Sequence, residues 1–231
     1  MIRRLVAEFV GTFFLVFGVG VSQGQPFTVG GTLWAAQIFT GFSSGGQFNP
    51  AVTLAIITRK HITKTLTTTE LKEYMLFIVA QITGSIMAAL LSWGIVRYAA
   101  YFDVALGYNR GEAFLAEFLY TTLLCANAIM AGVLTDSNLL VGAAVSMSVT
   151  AGDWSVGNIS GGCFNPAVGF GVNLIHLFKD GDHFGNTWIY IIGPLIGGIL
   201  GGLTSTIFIK ELQTQRSKIA EEADVDHQHS T

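Results

Sequence analysis

Charged residues are scarce in this chain. They make up 12% of its 231 residues, whereas a soluble globular protein has about 25%. So few charges could not cover the surface of a water-soluble fold of this size. The same scarcity, with 51% hydrophobic residues, excludes a disordered chain. A net charge of -3 without a basic face argues against a nucleic-acid partner. What remains is an integral membrane protein whose surroundings are the lipid bilayer.

Cysteine is also rare, because the chain holds only Cys125 and Cys163. Each lies in an apolar or glycine-rich stretch, so neither a disulfide framework nor a zinc pattern is present. Glycine, in contrast, is abundant: there are 28, where the usual ~7% would give about 16.

The apolar segments of the chain have two different lengths. Six are long enough to cross ~30 Å of hydrocarbon, at roughly 4–22, 27–44, 73–98, 112–134, 138–156 and 186–209. Two shorter ones, Ala51 to Thr58 and Ala167 to Phe178, reach about half as far. Each follows an Asn-Pro pair, and Pro after an Asn cap is a helix-start signal. The sequence therefore predicts an all-α membrane protein with six spanning helices and two re-entrant half-helices.

Positive charge indicates the orientation of the spans. If the N-terminus is cytoplasmic, nine of the 12 Lys and Arg residues lie inside: Arg3, Arg4, Arg59, Lys60, Lys64, Lys72, Lys210, Arg216 and Lys218. Arg97, Arg110 and Lys179 lie outside, which agrees with the positive-inside rule. We therefore expect both termini in the cytoplasm. The chain is expected to form a single membrane domain over 1–209, followed by a polar, disordered tail over 210–231.

The chain contains an internal repeat. Ala7-Glu8-Phe9 recurs as Ala116-Glu117-Phe118, and the stretch SGGQFNPAV from Ser44 recurs as SGGCFNPAV from Ser160. The halves extend over about 4–98 and 112–209. Each half holds three spans, so the second half is inverted relative to the first. Inverted repeats with broken helices place the functional site at the midplane between them.

The repeated motif has a physical consequence at that midplane. Two half-helices that enter from opposite faces point their N-termini at each other, each with about +0.5 of an elementary charge. This arrangement is a barrier to cations, including protons. The segments Gly45–Phe48 and Gly161–Phe164 offer backbone carbonyls to a solute. The side-chain oxygens of Asn49 and Asn165 can cap the half-helices while their NH2 groups face the lumen.

Two carboxylates lie within predicted spans, Glu8 and Glu117. Ionisable residues in a span are costly and are candidates for function. We expect each to accept hydrogen bonds from the re-entrant loop of its half. A proton relay is the alternative, although no partner His or Lys is in view.

These motifs resemble the aquaporin (major intrinsic protein) family over about 4–209. The resemblance rests on both Ala-Glu-Phe segments, on Gly193-Pro194, and on the two Asn-Pro-Ala motifs: Asn49, Pro50, Ala51, Asn165, Pro166 and Ala167. It implies an aquaporin-like bundle with one pore per subunit, a homotetramer, and transport without a cofactor or metal. The small-residue spacing of Gly197, Gly201 and their neighbours fits packing inside the monomer better than a tetramer seam.

The resemblance also assigns an outer selectivity filter, in which this chain departs from the family. Counted from the motifs, its four positions are Val29, Asp153, Gly162 and Val168. Most aquaporins have Arg where this chain has Val168, so we expect a wider filter without a fixed cation. Some tonoplast intrinsic proteins similarly carry Val there and look permissive for urea, ammonia and peroxide.

Other candidate residues are open to two interpretations. Asp153 is either a carboxylate in the outer mouth or a solvated helix-end residue. Cys163 is either a pore-lining thiol or a small buried hydrophobe. Gln47 replaces the His of many members, so a pH gate there is not expected. The remaining predicted pore-lining loop positions are Gly45, Gly46 and Gly161. The five His residues are expected at the surface or in loops.

The function predicted is passive passage of water and small neutral solutes such as glycerol, urea, ammonia or peroxide. A strictly water-selective channel and a structural membrane protein with residual permeability are the alternatives. A secondary transporter would need a central ionisable site. A membrane enzyme would need a nucleophile–base pair or a metal set, and no span supplies one.

Overall fold

The computed structural model describes residues 1–229, with side chains up to residue 219. Within that part of the chain it contains eight α-helices and no strand. They are α1 (Ile2–Ser22), α2 (Pro26–Ser44), α3 (Pro50–Ile62), α4 (Thr68–Val96), α5 (Arg110–Leu134), α6 (Asn138–Ser160), α7 (Pro166–Asp180) and α8 (Thr187–His229). The predicted all-α bundle of long helices and two half-helices is confirmed.

The helices pack as two equivalent halves. In the first half α1 packs on α2 and α4, and in the second half α5 packs on α6 and α8. The half-helices cross over, because α3 packs on α8 and α7 packs on α4. α2 and α6 join the halves directly. Each short helix is thus held by the other half of the chain.

Helix boundaries follow local capping signals. The short helices α3 and α7 begin at their prolines, and Asn49 and Asn165 cap them. α4 begins at Thr68, earlier than the predicted 73, because Thr67 and Glu70 form a capping box.

Five of the helices are long and apolar enough to cross a membrane: α1, α4, α5, α6 and α8. α2 has 19 residues but is not among the five. Its Thr28, Thr32, Gln37 and Thr40 lower its mean hydropathy.

The C-terminal tail differs from the prediction. We expected disorder from residue 210, but α8 continues through residue 229. Its sequence beyond Lys210 contains several Glu, Gln and Ala residues, which are good helix formers. Polarity of the tail was therefore a poor indicator of disorder.

The glycines of α8 allow close packing inside the chain. A Cβ at Gly198 would lie 2.4 Å from the carbonyl oxygen of Ala51 in α3. On the other side of α8, a Cβ at Gly197 would lie 2.6 Å from the carbonyl oxygen of Phe118 in α5. The prediction that this small-residue spacing serves packing within the monomer is confirmed.

Candidate functional site

The first re-entrant loop is held by one buried carboxylate, that of Glu8 in α1. Its Oε1 accepts from Ser44 Oγ at 2.6 Å and from the Gln47 N–H at 3.0 Å. Its Oε2 accepts from the Phe48 N–H and from Gln81 Nε2, both at 2.8 Å. Glu8 is fully buried. A single side chain therefore satisfies two backbone donors that the loop leaves outside any helix.

The second loop is held in the same way by Glu117 in α5. Its Oε1 accepts from Ser160 Oγ at 2.7 Å and from the Cys163 N–H at 3.0 Å. Its Oε2 accepts from the Phe164 N–H at 2.7 Å. Glu117 is also fully buried. The two carboxylates thus hold their loops through equivalent atoms, as the repeat predicts.

Both loops turn through the left-handed region at matching positions. φ is +92° at Gly45 and +90° at Gly161. It is also positive at two non-glycine residues, +48° at Phe48 and +52° at Phe164. Such a backbone is uncommon for a bulky residue, and the carboxylates bind the N–H of both phenylalanines. The loop shape is therefore fixed by the chain around it.

The two Asn-Pro-Ala motifs meet and hydrogen-bond across the repeat. Asn49 Oδ1 accepts from the Ala51 N–H at 2.8 Å, and Asn165 Oδ1 accepts from the Ala167 N–H at 3.0 Å. Asn49 Nδ2 donates to the carbonyl of Phe164 and Asn165 Nδ2 donates to that of Phe48, both at 2.9 Å. Each amide has two N–H donors, so one on each asparagine is left for the cavity.

A narrow cavity passes between these asparagines. About 40 Å³ of it is open to the centres of water molecules, enough for on the order of three waters at ~10–15 Å³ each. Its walls are mostly apolar and come in equivalent pairs, such as Leu15 with Leu124 and Val29 with Val145. Among the residues that the structure describes, four polar or charged side chains line this cavity: Gln47, Asn49, Asn165 and Asp153.

The structure brings all four predicted filter positions to this cavity: Val29, Asp153, Gly162 and Val168. Gln47, Gly161 and Cys163 also line it. The motif residues Pro50, Ala51, Pro166 and Ala167 are not among the residues that line it. The prediction that Gly45 and Gly46 line the pore is wrong, because Gly45 is exposed and Gly46 lies against the Gln37 side chain. The Cys163 thiol donates to the carbonyl of Asn165 at 3.3 Å.

Asp153 lies where the narrow cavity opens into a wider one. It lines both the narrow cavity and a vestibule of about 440 Å³. A Cβ at Gly162 would lie 2.7 Å from Asp153 Oδ1, so the carboxylate lies directly against the second loop. Among the described residues it has no hydrogen-bond partner. Its side chain is therefore free to contact a solute.

Sequence reasoning missed the counterpart of Asp153, which is Gln37. The motif offset of 116 residues between Ser44 and Ser160 also relates Gln37 to Asp153. Gln37 Oε1 lies against Gly46 as Asp153 Oδ1 lies against Gly162. Applying the offset to every candidate would have found Gln37.

Phe102 is a second residue that the sequence did not indicate. It lies in the connection between α4 and α5 and lines both the narrow cavity and the vestibule. Asn173 of α7 holds it through both backbone groups: the Phe102 N–H donates to Oδ1 at 2.8 Å and Nδ2 donates to the carbonyl at 3.0 Å. No motif precedes it, so only the folded chain reveals it.

The expectation that every histidine lies at the surface or in a loop is wrong for His176. It lies within α7 and is 4% exposed. Its Nδ1 is 2.8 Å from the carbonyl oxygen of Ala99, and its Nε2 is 2.9 Å from Asp182 Oδ1. The partners of His176 lie in two different loops, so residue spacing within a single span does not indicate them.

Two equivalent helical halves, whose capped half-helices meet at a central cavity, form an architecture that multi-pass membrane transport proteins use. The family model described as Major intrinsic protein matches residues 1–205. The chain belongs to the major intrinsic protein family. It is therefore a transmembrane channel and not an enzyme.

Curated relatives and a solved structure agree with this assignment. The chain is 31% identical to "Probable aquaporin NIP4-2" of Arabidopsis thaliana, over 87% of this chain and 72% of that protein. It is 28% identical to "Glycerol uptake facilitator protein-like 6" of Lactiplantibacillus plantarum, over 90% of this chain and 99% of that protein. The aquaglyceroporin structure from Plasmodium falciparum superposes with a TM-score of 0.78 at 18% identity, over 91% of this chain and 98% of that one, and it shows the same fold.

Replacing Glu117 by Gln should destabilise the second loop. The amide NH2 would face either the Phe164 N–H or the Cys163 N–H, so one buried donor loses its acceptor. Such a loss costs about 1–3 kcal/mol. We expect a lower unfolding temperature in detergent and reduced water flux in proteoliposomes.

The matched control is Glu211→Gln, on the exposed part of α8, which should change neither quantity. An unfolding temperature and water flux equal to wild type in Glu117→Gln would show that the carboxylate does not hold the loop.

Proposed function

We propose that this chain conducts water and small neutral solutes passively, through a pore whose outer filter lacks a fixed cation. The observation that carries the proposal is Val168 on the cavity wall, at the position after the second Asn-Pro-Ala motif. Its equivalent in the first half is Val52, which lines the same cavity. No Lys or Arg lies on the described wall. An apolar wall with one carboxylate suits neutral polar solutes such as glycerol, urea, ammonia or peroxide.

The centre of the pore supplies the hydrogen bonds that a permeating molecule loses. Asn49 and Asn165 each retain one N–H donor after bonding the opposite loop. The carbonyls of the re-entrant segments offer acceptors along the approach. A molecule that both donates and accepts can therefore exchange its hydration stepwise.

The same central region of the pore is unfavourable for cations. The N-termini of α3 and α7 converge there, each with about +0.5 of an elementary charge. The asparagine donors face the same region. A proton or metal cation would thus have to pass two positive helix ends in a narrow passage, so we infer that the channel excludes both.

The relatives favour a polyol among the solutes. One relative is named a glycerol uptake facilitator-like protein, and the chain covers nearly all of its length. Val168 at the filter leaves more room than an Arg. We therefore infer glycerol as the first solute to test.

A strictly water-selective channel is the alternative, and one observation favours it. The narrow part of the cavity holds only about 40 Å³, which is space for on the order of three waters. A solute larger than water would need the apolar walls to yield. Flux measurements with several solutes separate the two functions.

We also propose an orientation and an assembly. Arg4 pairs with Glu73 and Lys60 pairs with Glu70, both at 2.5 Å, so the N-terminus and the α3–α4 connection share one face. That face carries most of the basic residues and is assigned to the cytoplasm. The many exposed apolar side chains on the bundle's outside, such as Phe39 and Phe42, suit lipid contact and a homotetramer.

Val168→Arg should narrow the filter and add a fixed charge. In stopped-flow swelling of proteoliposomes, we expect glycerol and urea flux to fall about tenfold, equal to a barrier raised by roughly 1.4 kcal/mol. Water flux should fall less, because a water molecule still fits beside the guanidinium.

The control is Val168→Leu, which adds bulk without charge and should have a smaller effect on both fluxes. Wild-type protein that passes water but neither glycerol nor urea would contradict the wide-filter proposal and support the water-selective alternative.

Asp153→Asn tests the carboxylate at the junction of the narrow cavity and the vestibule. The amide keeps the size and one oxygen acceptor but loses the charge, so we expect glycerol flux to change while the unfolding temperature stays near that of wild type. Swelling with glycerol, urea and water gradients measures this. If every flux equals the wild-type value, Asp153 does not contact the permeating solute.

A further inference from the structure

Outside the pore, two histidines and an aspartate converge on one point. They are His176 at the end of α7 and Asp182 and His183 in the segment after it. His176 Nε2 lies 2.9 Å from Asp182 Oδ1, and His183 Nε2 lies 3.5 Å from Asp182 Oδ2. One potential ligand atom of each residue lies within 4.8 Å of those of the others. Two imidazoles and a carboxylate are thus gathered in a space the size of one ion and its ligands.

The far side of each imidazole is held by an acceptor. His176 Nδ1 lies 2.8 Å from the carbonyl oxygen of Ala99, and His183 Nδ1 lies 2.5 Å from Asp103 Oδ2. Carbonyl and carboxylate oxygens accept hydrogen bonds, so both Nδ1 atoms carry hydrogen. Histidines that bind metals almost always donate the second ring N–H in this manner. Both Nε2 atoms are then directed at Asp182.

Asp103 is itself fixed in place. Its Oδ1 accepts from Asn186 Nδ2 at 2.7 Å and from the Val104 N–H at 2.8 Å. Its other oxygen is therefore held toward His183. This is the carboxylate–histidine arrangement that orients zinc ligands.

The imidazoles are also positioned by packing. The ring of Tyr101 lies against both of them, with centroids 4.5 Å from His176 and 4.2 Å from His183. The His176 side chain is 6% exposed, whereas that of Asp182 is 59% exposed. An ion could therefore reach a preformed site from solvent, and water could complete its coordination.

The position between the two Nε2 atoms and the Asp182 carboxylate suits a cation. The nearby charges do not compete for the position: Asp180, whose Oδ2 is 3.6 Å from His176 Nδ1, pairs with Lys179.

We propose that His176, Asp182 and His183 bind a divalent transition-metal ion of the zinc type. His176 Nε2, His183 Nε2 and an Asp182 oxygen are the protein ligands, and water takes the fourth place. Imidazole and carboxylate donors in a four-coordinate set suit Zn²⁺. The ion would fix the segment after α7 to α7 itself, beside the connection between α4 and α5. Tyr101 in that connection lines the vestibule, so the ion lies beside the route into the pore.

Co²⁺ is the probe, because tetrahedral Co²⁺ absorbs visible light. The full chain is purified in detergent without a polyhistidine tag. His227 and His229 are replaced by Ala throughout, since two histidines two positions apart in the tail could chelate a metal themselves. In this background we expect one Co²⁺ per chain, a tetrahedral absorption band, and a higher unfolding temperature with the metal present.

Two variants separate ligation from positioning. His183→Ala removes a ligand and should lower Co²⁺ affinity by more than about 100-fold. Asp103→Asn leaves all three ligands in place, weakens the orientation of His183, and should lower the affinity by about 10–100-fold. His61→Ala, an exposed histidine at the end of α3, is the matched control and should bind Co²⁺ like the background.

The unfolding temperature without metal shows whether each variant is folded. The proposal is overturned if the background protein binds no Co²⁺ at millimolar concentration. It is also overturned if His183→Ala, folded as well as the background, binds Co²⁺ with the same affinity and spectrum. Neither outcome depends on which solutes the pore conducts.

Discussion

The structure depends on two buried carboxylates that satisfy backbone donors in the middle of a membrane protein. At that depth an unsatisfied backbone N–H costs several kcal/mol, and irregular backbone survives only where protein supplies its partners. Glu8 and Glu117 supply them from the first helix of each half. The cost of burying the two carboxyl groups is offset by several short hydrogen bonds to each. Without these acceptors, the loops could not expose their carbonyls to a pore.

The crossed asparagines convert two separate loops into one site. Each side chain caps its own half-helix and also bonds the last loop carbonyl of the other half. The positions of the two helix N-termini are therefore coupled, and the donors left over point into a single passage. In the function we propose, this centre selects water over charged species, and Val168, Asp153 and their neighbours set the size of the solute.

Much of this could be predicted from the sequence, because the repeat carries it. Asn-Pro pairs gave the starts of α3 and α7, and the recurring Glu predicted what holds each loop. The residues that escaped prediction have partners far apart in the chain. His176 contacts a carbonyl 77 positions away, and Phe102 is held by a residue 71 positions away in α7. Neither periodicity nor motif spacing encodes such contacts. The tail helix was missed for another reason, since polar composition also suits an exposed helix.

We propose that the converging half-helices and asparagines pass neutral molecules and stop protons. The most direct measurement follows water flux and internal pH together in wild-type proteoliposomes that contain a pH-sensitive dye, under an osmotic gradient and a membrane potential. We expect rapid swelling with no change of internal pH beyond that of protein-free vesicles. Proton entry that rises with the amount of reconstituted protein would contradict it.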